Sequence, residues 1–148
     1  MKWRPAACAV TCLLAIASWV DAAGRAAVLV TSRDCAMQTI SALDIRKAYL
    51  GIGVSYEGLS IRAFRLDNDE RLNQIFFQSV VAMSERTYER RLLLQLLKYG
   101  QPRIQHVGSA GELATAVAGS SCSIAYMWQS DAEEWADLKS IKILWQES

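Results

Sequence analysis

The chain has 148 residues and a formal net charge of +1, and 52% of its residues are hydrophobic. This composition supports a sizeable core and excludes a long disordered chain. The near balance of basic and acidic residues argues against general binding to nucleic acids or anionic membranes, which requires an excess of lysine and arginine.

The first 23 residues are typical of a cleaved secretion signal. Lys2 and Arg4 form a basic start, an apolar run covers residues 6–20, and small residues around position 22 allow cleavage. A retained membrane anchor is the alternative, but a spanning helix needs about 20 apolar residues and this run is shorter. We therefore expect residues 1–23 to be a signal peptide and residues 24–148 to form a single periplasmic domain with no net charge and no stable membrane span.

Cleavage of the signal changes the cysteine count. It would remove Cys8 and Cys12 and leave Cys35 and Cys122, an even pair in an oxidising compartment. A disulfide between the remaining two would close a long loop, which is worth about 4–5 kcal/mol in the chain-entropy model. Two unrelated buried thiols are the alternative, and the count alone leaves both open.

The mature chain begins with a strand-like segment and a well-marked helix. The apolar run at residues 26–30 predicts a buried strand, which a polar loop follows. Ser41 and Asp44 form a variant of the capping box and predict a helix start, and Gly51 predicts its end because glycine readily adopts the left-handed conformation. Residues 59–64 alternate weakly and predict a second strand.

Two helices with apolar stripes are predicted next. The polar residues at 67–70 offer caps for a helix whose apolar residues recur at helical spacing as far as Met83, which is typical of a helix that faces a core. Ser84 caps a further helix that runs to about Lys98 and ends by Gly100. The predicted buried side of this second helix consists of Tyr88, Leu92, Leu93, Leu96 and Leu97.

The rest of the chain continues the alternation. Residues 103–107 predict a third strand, and Ser109 with Glu112 forms a capping box for the next helix. The remaining predicted elements are a strand at 123–127, a short helix at 131–138 and a closing strand at 141–145. Strands that alternate with helices imply an α/β fold, a three-layer sandwich with a mixed, mainly parallel sheet.

Residues that carry catalytic chemistry are few. His106 is the one histidine of the chain and stands in the middle of a predicted strand, without a positioned partner in the sequence. Neither the ligand spacing of a zinc site nor a glycine-rich phosphate loop occurs in the sequence. We therefore expect no enzymatic activity, no metal and no cofactor. An enzyme is the weaker alternative, and it would need a cleft that holds His106 beside an acidic side chain.

Two predicted helix starts could hold an anion, because free backbone N–H groups and a partial positive charge meet there. At the first, Arg65 could donate two hydrogen bonds to an oxyanion, while Asp67 and Asn68 could accept from its protonated oxygens. At the second, Ser109 follows the third strand. The alternative is ordinary capping, of the first helix by Asp67 or Asn68 with Arg65 solvated, and of the second helix by Ser109.

Several segments resemble the periplasmic phosphate-binding proteins of ABC importers. Residues 40–51 are similar to a family signature that reads roughly Leu-Ser-x-x-Glu-Leu-x-x-Ile-Phe-Leu-Gly after a first strand. Residues 61–65 resemble the next strand with its terminal arginine, and residues 100–102 resemble a Gly-x-Pro segment. Residues 123–127 resemble the strand that returns between the lobes. The likeness extends over nearly all of residues 24–148.

The resemblance implies the fold of one lobe of this two-lobe family, whose members are more than twice as long and hold phosphate between the lobes. In the family the arginine is followed by Ser-Asp-Gly-Ser-Gly-Thr. Here Arg65 and Asp67 match, and the serine, glycine and threonine positions differ. The resemblance also implies that the first and the returning strand are antiparallel neighbours. That arrangement places Cys35 and Cys122 on the same side and favours the disulfide.

We therefore predict a periplasmic, single-domain substrate-binding-like protein without catalytic activity. Its expected ligand is phosphate or another small oxyanion. The candidate ligand-binding residues are Arg65, Asp67, Asn68, Ser109, Thr31 and Ser32. The alternative is a non-ligand module for protein–protein interaction, with another protein of the cell envelope as its partner.

Overall fold

The computed structural model describes residues 24–100 and 104–148. The predicted signal peptide and residues 101–103, which include most of the Gly-x-Pro segment, lie outside the described residues. The strands are β1 Ala26–Ser32, β2 Ser55–Tyr56, β3 Leu59–Ser60, β4 Arg62–Leu66, β5 Gln105–Val107, β6 Ser123–Trp128 and β7 Leu138–Gln146. The helices are α1 Ala42–Tyr49, α2 Glu70–Ile75, α3 Glu85–Tyr99, α4 Ala110–Ala118 and α5 Gln129–Glu133, and a π-helical segment, Phe76–Val80, continues α2.

Five strands form the main sheet, in the order β5-β4-β6-β1-β7. β4 is parallel to both β5 and β6, whereas β1 is antiparallel to both β6 and β7. Four strands therefore run in one direction and β1 runs against them. The sheet is mixed and mainly parallel, as the sequence predicts.

Helices cover both faces of the sheet. Tyr126 of β6 stacks on Phe76 of the π-helical segment with ring centroids 5.0 Å apart. Ser123 of the same strand donates to the carbonyl of Val117 in α4 at 3.4 Å. Because Tyr126 and Ser123 are an odd number of residues apart, they point to opposite faces of the sheet. The fold is thus a three-layer α/β sandwich, and the seven residues of β1 are all buried in its middle.

The predicted helix ends are confirmed where a local cap decides them. Asp44 N–H donates to the Ser41 hydroxyl at 3.0 Å, and Thr87 N–H donates to the Ser84 hydroxyl at 3.2 Å. Gly100 ends α3 with φ +61°. At such an angle glycine avoids the steric penalty that other residues have.

The predicted second strand is wrong in one respect, since residues 59–64 belong to two different strands. Residues 59–60 pair with β2 in a small hairpin, whereas β4 starts at Arg62 in the main sheet. Glu57 and Gly58 form the two-residue loop of the hairpin, and both have positive φ. Such a loop is typical of a tight antiparallel turn.

Two further predicted elements have different bounds. The short helix expected at 131–138 is α5 and ends at Glu133, and the closing strand is longer than expected because β7 begins at Leu138. None of the described helices is long and apolar enough to cross a bilayer.

The disulfide between Cys35 and Cys122 is present, with Cα atoms 5.3 Å apart. Cys35 follows β1, and Cys122 directly precedes β6. Because β1 and β6 are antiparallel neighbours, the last residue of β1 and the first residue of β6 lie side by side at the same end of the two strands. The disulfide expected from the resemblance is thus confirmed.

The predicted buried side of α3 is partly wrong. Tyr88 is fully buried and Leu92 packs against the core, but Leu93 and Leu97 are 52% and 74% exposed. Helical periodicity indicates which side of a helix is apolar, and it does not indicate whether another element covers that side. The second half of α3 therefore presents leucines to solvent.

Candidate functional site

Arg65 lies near the carboxyl end of β4, and its side chain is buried rather than solvated. Only 5% of the residue is exposed. Its Nε donates to the hydroxyl of Tyr126 at 3.3 Å, and its Nη2 donates to Oδ1 of Asn73 at 3.3 Å. Residues from β6 and α2 thus fix the position of the guanidinium.

Aromatic rings surround the same guanidinium. Its central carbon lies 4.4 Å from the ring centroid of Phe76, 5.0 Å from that of Phe77 and 5.2 Å from that of Tyr88. Cations are attracted to the faces of aromatic rings at such distances, and the attraction is stronger when water is excluded. The rings therefore offset part of the cost of burying this charge.

No carboxylate lies within ion-pair distance of Arg65 in the described part of the chain, where His106 and Asp67 form the single ion pair. Burial tends to lower the pKa of Arg65, but the Tyr126 and Tyr88 hydroxyls and Asp67 act in the opposite sense, and the net pKa is raised. Burial also raises the pKa of both tyrosines, so they remain neutral. Arg65 is thus a buried cation, and no anionic group of residues 24–100 and 104–148 is in direct contact with it.

The loop after β4 contains a carboxylate–histidine pair. Asp67 Oδ1 lies 2.6 Å from His106 Nδ1, and both side chains are about half exposed. The parallel register of β4 and β5 places Arg65 opposite His106. Asp67 follows Arg65 by two positions and therefore lies within reach of the His106 side chain. None of the described cavities is lined by this pair, and no group of three or more metal-ligating side chains occurs within residues 24–100 and 104–148.

Asp69 rather than Asp67 or Asn68 caps α2. Its Oδ1 accepts the backbone N–H of Leu72 at 2.9 Å, and its Oδ2 accepts Trp128 Nε1 at 2.7 Å. The side chains of Asp67 and Asn68 are therefore not used by the helix start. They lie exposed at the carboxyl end of β4.

Ser109 performs the ordinary capping role that was the alternative in the sequence analysis. Its hydroxyl accepts the backbone N–H of Glu112 at 3.2 Å, and the carboxylate of Glu112 accepts the N–H of Gly108 at 3.0 Å. A carboxylate thus already occupies this helix start. A second anion would be repelled there.

Thr31 and Ser32 lie at the other end of the sheet from Arg65. Val30 is opposite Ala125, and Ala125 is opposite Phe64, so β1 continues from Val30 toward the amino end of β4. The Ser32 hydroxyl accepts the N–H of Asp34 at 3.3 Å. The Thr31 hydroxyl is buried without a hydrogen-bond partner among the described residues.

The six candidate residues therefore divide into two groups. The carboxyl ends of β4 and β5 carry Arg65, Asp67, Asn68 and Ser109, whereas Thr31 and Ser32 lie apart from them. Sequence reasoning missed the direct partners of Arg65, which are Asn73 and Tyr126. The sequence held one local signal for Asn73. It stands on the first turn of the predicted helix after the loop, eight residues after Arg65, and a side chain there can reach back to the end of the strand.

Comparisons with known proteins bear on the fold. The sequence matches no protein-family model, and no curated protein is significantly similar to it. An ABC-type phosphate transport receptor from Vibrio cholerae superposes with a TM-score of 0.59 at 12% identity, over 81% of this chain and 46% of the receptor. PstS from Borrelia burgdorferi superposes with a TM-score of 0.60 at 16% identity, over 85% of this chain and 50% of that protein.

At these identities the likeness concerns the fold alone. The chain spans about half the length of the solved structures it matches. The described residues accordingly have a fold similar to one lobe of the phosphate-binding proteins of ABC transporters.

Proposed function

We propose that the protein is a non-catalytic, periplasmic binding protein that holds a small oxyanion such as phosphate beside Arg65. The observation that carries this proposal is the buried guanidinium that has no carboxylate partner among the described residues. Burying a charge without a counter-charge is costly, and a bound oxyanion would supply one. A guanidinium also matches two oxyanion oxygens with parallel hydrogen bonds.

The ligand would approach from the carboxyl end of β4. Asn73 is half-buried there, and its Oδ1 accepts from Arg65 Nη2. An oxygen of the ligand would replace this amide oxygen on the guanidinium. Since a single lobe provides one wall of a site rather than two, we expect weak binding.

The acidic residues next to Arg65 would select among anions. Asp67 and Asp69 follow it in the loop, and a fully deprotonated anion is repelled by such carboxylates. A protonated oxyanion such as hydrogen phosphate can donate a hydrogen bond from its O–H group to the Asp67 carboxylate or to the Asn68 side-chain carbonyl. We therefore expect phosphate to bind better than sulfate.

Titration calorimetry tests this proposal. The wild-type protein should release or absorb heat with phosphate and show much weaker binding of sulfate. Arg65→Lys should lose phosphate binding, because an ammonium cannot form the paired hydrogen bonds. Arg62→Lys is the matched control, since Arg62 lies at the exposed start of the same strand, and it should bind like the wild type.

Two results would contradict the proposal. One is the absence of any heat with phosphate or sulfate while circular dichroism shows a folded protein. The other is an equal loss of binding in the Arg62 and Arg65 variants.

A second candidate function is a module for protein–protein interaction in the envelope. It is favoured by a separate observation, the exposed leucines in the second half of α3. Single exposed apolar side chains are common, whereas a contiguous group marks an interaction site.

A further inference from the structure

The second half of α3 borders a groove with a volume of 520 Å³. We propose that this α3 groove binds an acidic segment of a partner protein that inserts leucine or aromatic side chains. The groove is lined by two residues that follow α1, Leu50 and Ile52, and by six residues of α3, which are Arg91, Leu94, Gln95, Leu97, Lys98 and Tyr99. The inference rests on the second candidate function and specifies the chemistry of the partner, and it is independent of the oxyanion proposal for Arg65.

Four large apolar side chains that line the groove are accessible to a partner. Leu94, Leu97 and Tyr99 are each more than half exposed, and Ile52 is 41% exposed. Leu93 extends the apolar surface along the neighbouring side of α3. Covering a large aliphatic or aromatic side chain fully is worth about 1.5–3 kcal/mol, so several such residues can stabilise a complex.

The charges at the groove are all of one sign. Arg91 and Lys98 line it, and no acidic side chain among the described residues does so. Arg90 directly precedes Arg91 in the same helix. The only acidic residues of α3, Glu85 and Glu89, belong to its first half. A partner with acidic residues beside its apolar anchors complements this surface, and a basic partner is repelled by it.

This charge pattern disfavours a second copy of the chain as the occupant. A symmetric dimer places the same surface of both copies face to face. Arg91 and Lys98 of one groove would then lie against Arg91 and Lys98 of the other, with no acidic groove residue to pair with them. Two like charges in such an apolar contact destabilise the pair.

The shape of the surface favours a protein segment over a lipid bilayer. A bilayer meets a protein along a broad face, whereas this surface is a concave groove between α3 and the chain that follows α1. Grooves of this kind hold the anchor side chains of an amphipathic helix at positions i, i+3 or i+4, and i+7.

A pair of synthetic peptides tests the inference. Both are amphipathic helices of about 18 residues with the same leucine stripe, but one carries glutamate and the other lysine beside that stripe. Fluorescence anisotropy with the full chain should give at least about tenfold tighter binding of the glutamate peptide. Leu94→Ser with Leu97→Ser should weaken its binding about tenfold or more.

Charge reversal provides the sharper comparison. Arg91→Glu with Lys98→Glu should invert the preference, so that the lysine peptide binds more tightly than the glutamate peptide. Leu43→Ser is the matched control, because Leu43 is an equally exposed leucine on α1, outside the groove. It should leave both affinities unchanged.

Several outcomes would overturn the inference. Equal binding of the two peptides would show that the charge of the partner does not matter. Loss of binding in the Leu43 variant would show that the peptide does not bind specifically at the α3 groove. Concentration-dependent dimerisation that the Leu94/Leu97 variant abolishes would assign the groove to a second copy. Cosedimentation with phosphatidylglycerol vesicles without peptide binding would assign it to a membrane surface. Phosphate calorimetry on the same variants separates a failure here from a failure at Arg65.

Discussion

Asp69 connects two layers of the molecule through one carboxylate. One oxygen caps α2 and the other accepts the indole N–H of Trp128 in β6. Removing an N-cap costs about 1 kcal/mol, and a buried donor left without its acceptor costs about 1–3 kcal/mol more. The position therefore matters for stability more than an ordinary surface aspartate does.

We predict that Asp69→Ala lowers the free energy of unfolding by about 2–4 kcal/mol, since it removes both hydrogen bonds. Asp69→Asn should fall between this variant and the wild type, because asparagine still caps a helix well. Urea denaturation followed by tryptophan fluorescence measures both changes. Equal stability of the alanine variant and the wild type would contradict the prediction.

Individual residues also show where sequence reasoning succeeds. The caps at Ser41 and Ser84 were predictable because each acts on a backbone N–H three residues away. The pair of Asp67 with His106 was not predictable, because its partners are 39 residues apart and meet only through the register of two parallel strands. The burial of Arg65 was missed for the same reason.

At the scale of the elements, one covalent bond ties the end of β1 to the start of β6. The sequence separation of the two cysteines is 87 residues, and both are buried. Cross-linking a loop of that length restricts the unfolded chain strongly. The bond therefore supports the two central antiparallel strands of the sheet.

Replacing both cysteines, Cys35→Ala with Cys122→Ala, should lower the free energy of unfolding by about 4 kcal/mol. Wild-type protein treated with a reductant should lose a similar amount, and its urea midpoint is the measurement. An unchanged midpoint after reduction, with free thiols shown by labelling, would contradict the expected stabilisation.

The order of the helices and strands was largely predictable from the sequence. Which of their faces are buried by other elements was not. The apolar run at 26–30 was long enough to indicate a strand buried on both faces. In α3 the same kind of signal was misleading, because the repeat of leucines does not reveal that the helix extends past the core. The hairpin of β2 and β3 was missed, since two-residue strands leave almost no periodic pattern.

At the scale of the whole molecule, an aromatic cluster holds the helical layer on the sheet. Phe76 lies at its centre, with ring centroids 5.0 Å from Tyr49, 5.0 Å from Tyr126 and 5.3 Å from Tyr88. The hydroxyl of Tyr88 donates to the carbonyl of Tyr49, and that of Tyr49 donates to the carbonyl of Phe64. Two helices, the π-helical segment and two strands therefore meet in one cluster.

This cluster predicts a loss of stability at alkaline pH. Burial raises the pKa of Tyr49, Tyr88 and Tyr126 in the folded protein, whereas unfolded tyrosines ionise near pH ~10. The stabilisation is fully present below that pH and declines as the pH rises toward the folded pKa values. Each tyrosine should contribute about 1.4 kcal/mol of lost stability per pH unit above about pH 10.

Urea denaturation between about pH 9 and 11 measures this slope. The Tyr88→Phe variant should show a shallower decline, because one ionising group is removed from the unfolded chain. A free energy of unfolding that stays constant across this interval would contradict the prediction.

The two outer strands of the sheet have a consequence for how the chain aggregates. An unpaired strand edge can template growth into fibrils, and proteins limit this with short edges, irregular pairing and lysines. β5 has only three residues, and β7 has two breaks in its register with β1. β7 also carries Lys139 and Lys142, whose ammonium groups donate to the carbonyls of Cys35 and Ile40. We therefore expect little strand-by-strand growth at either outer strand, so concentrated solutions of this protein should not form amyloid through its native sheet.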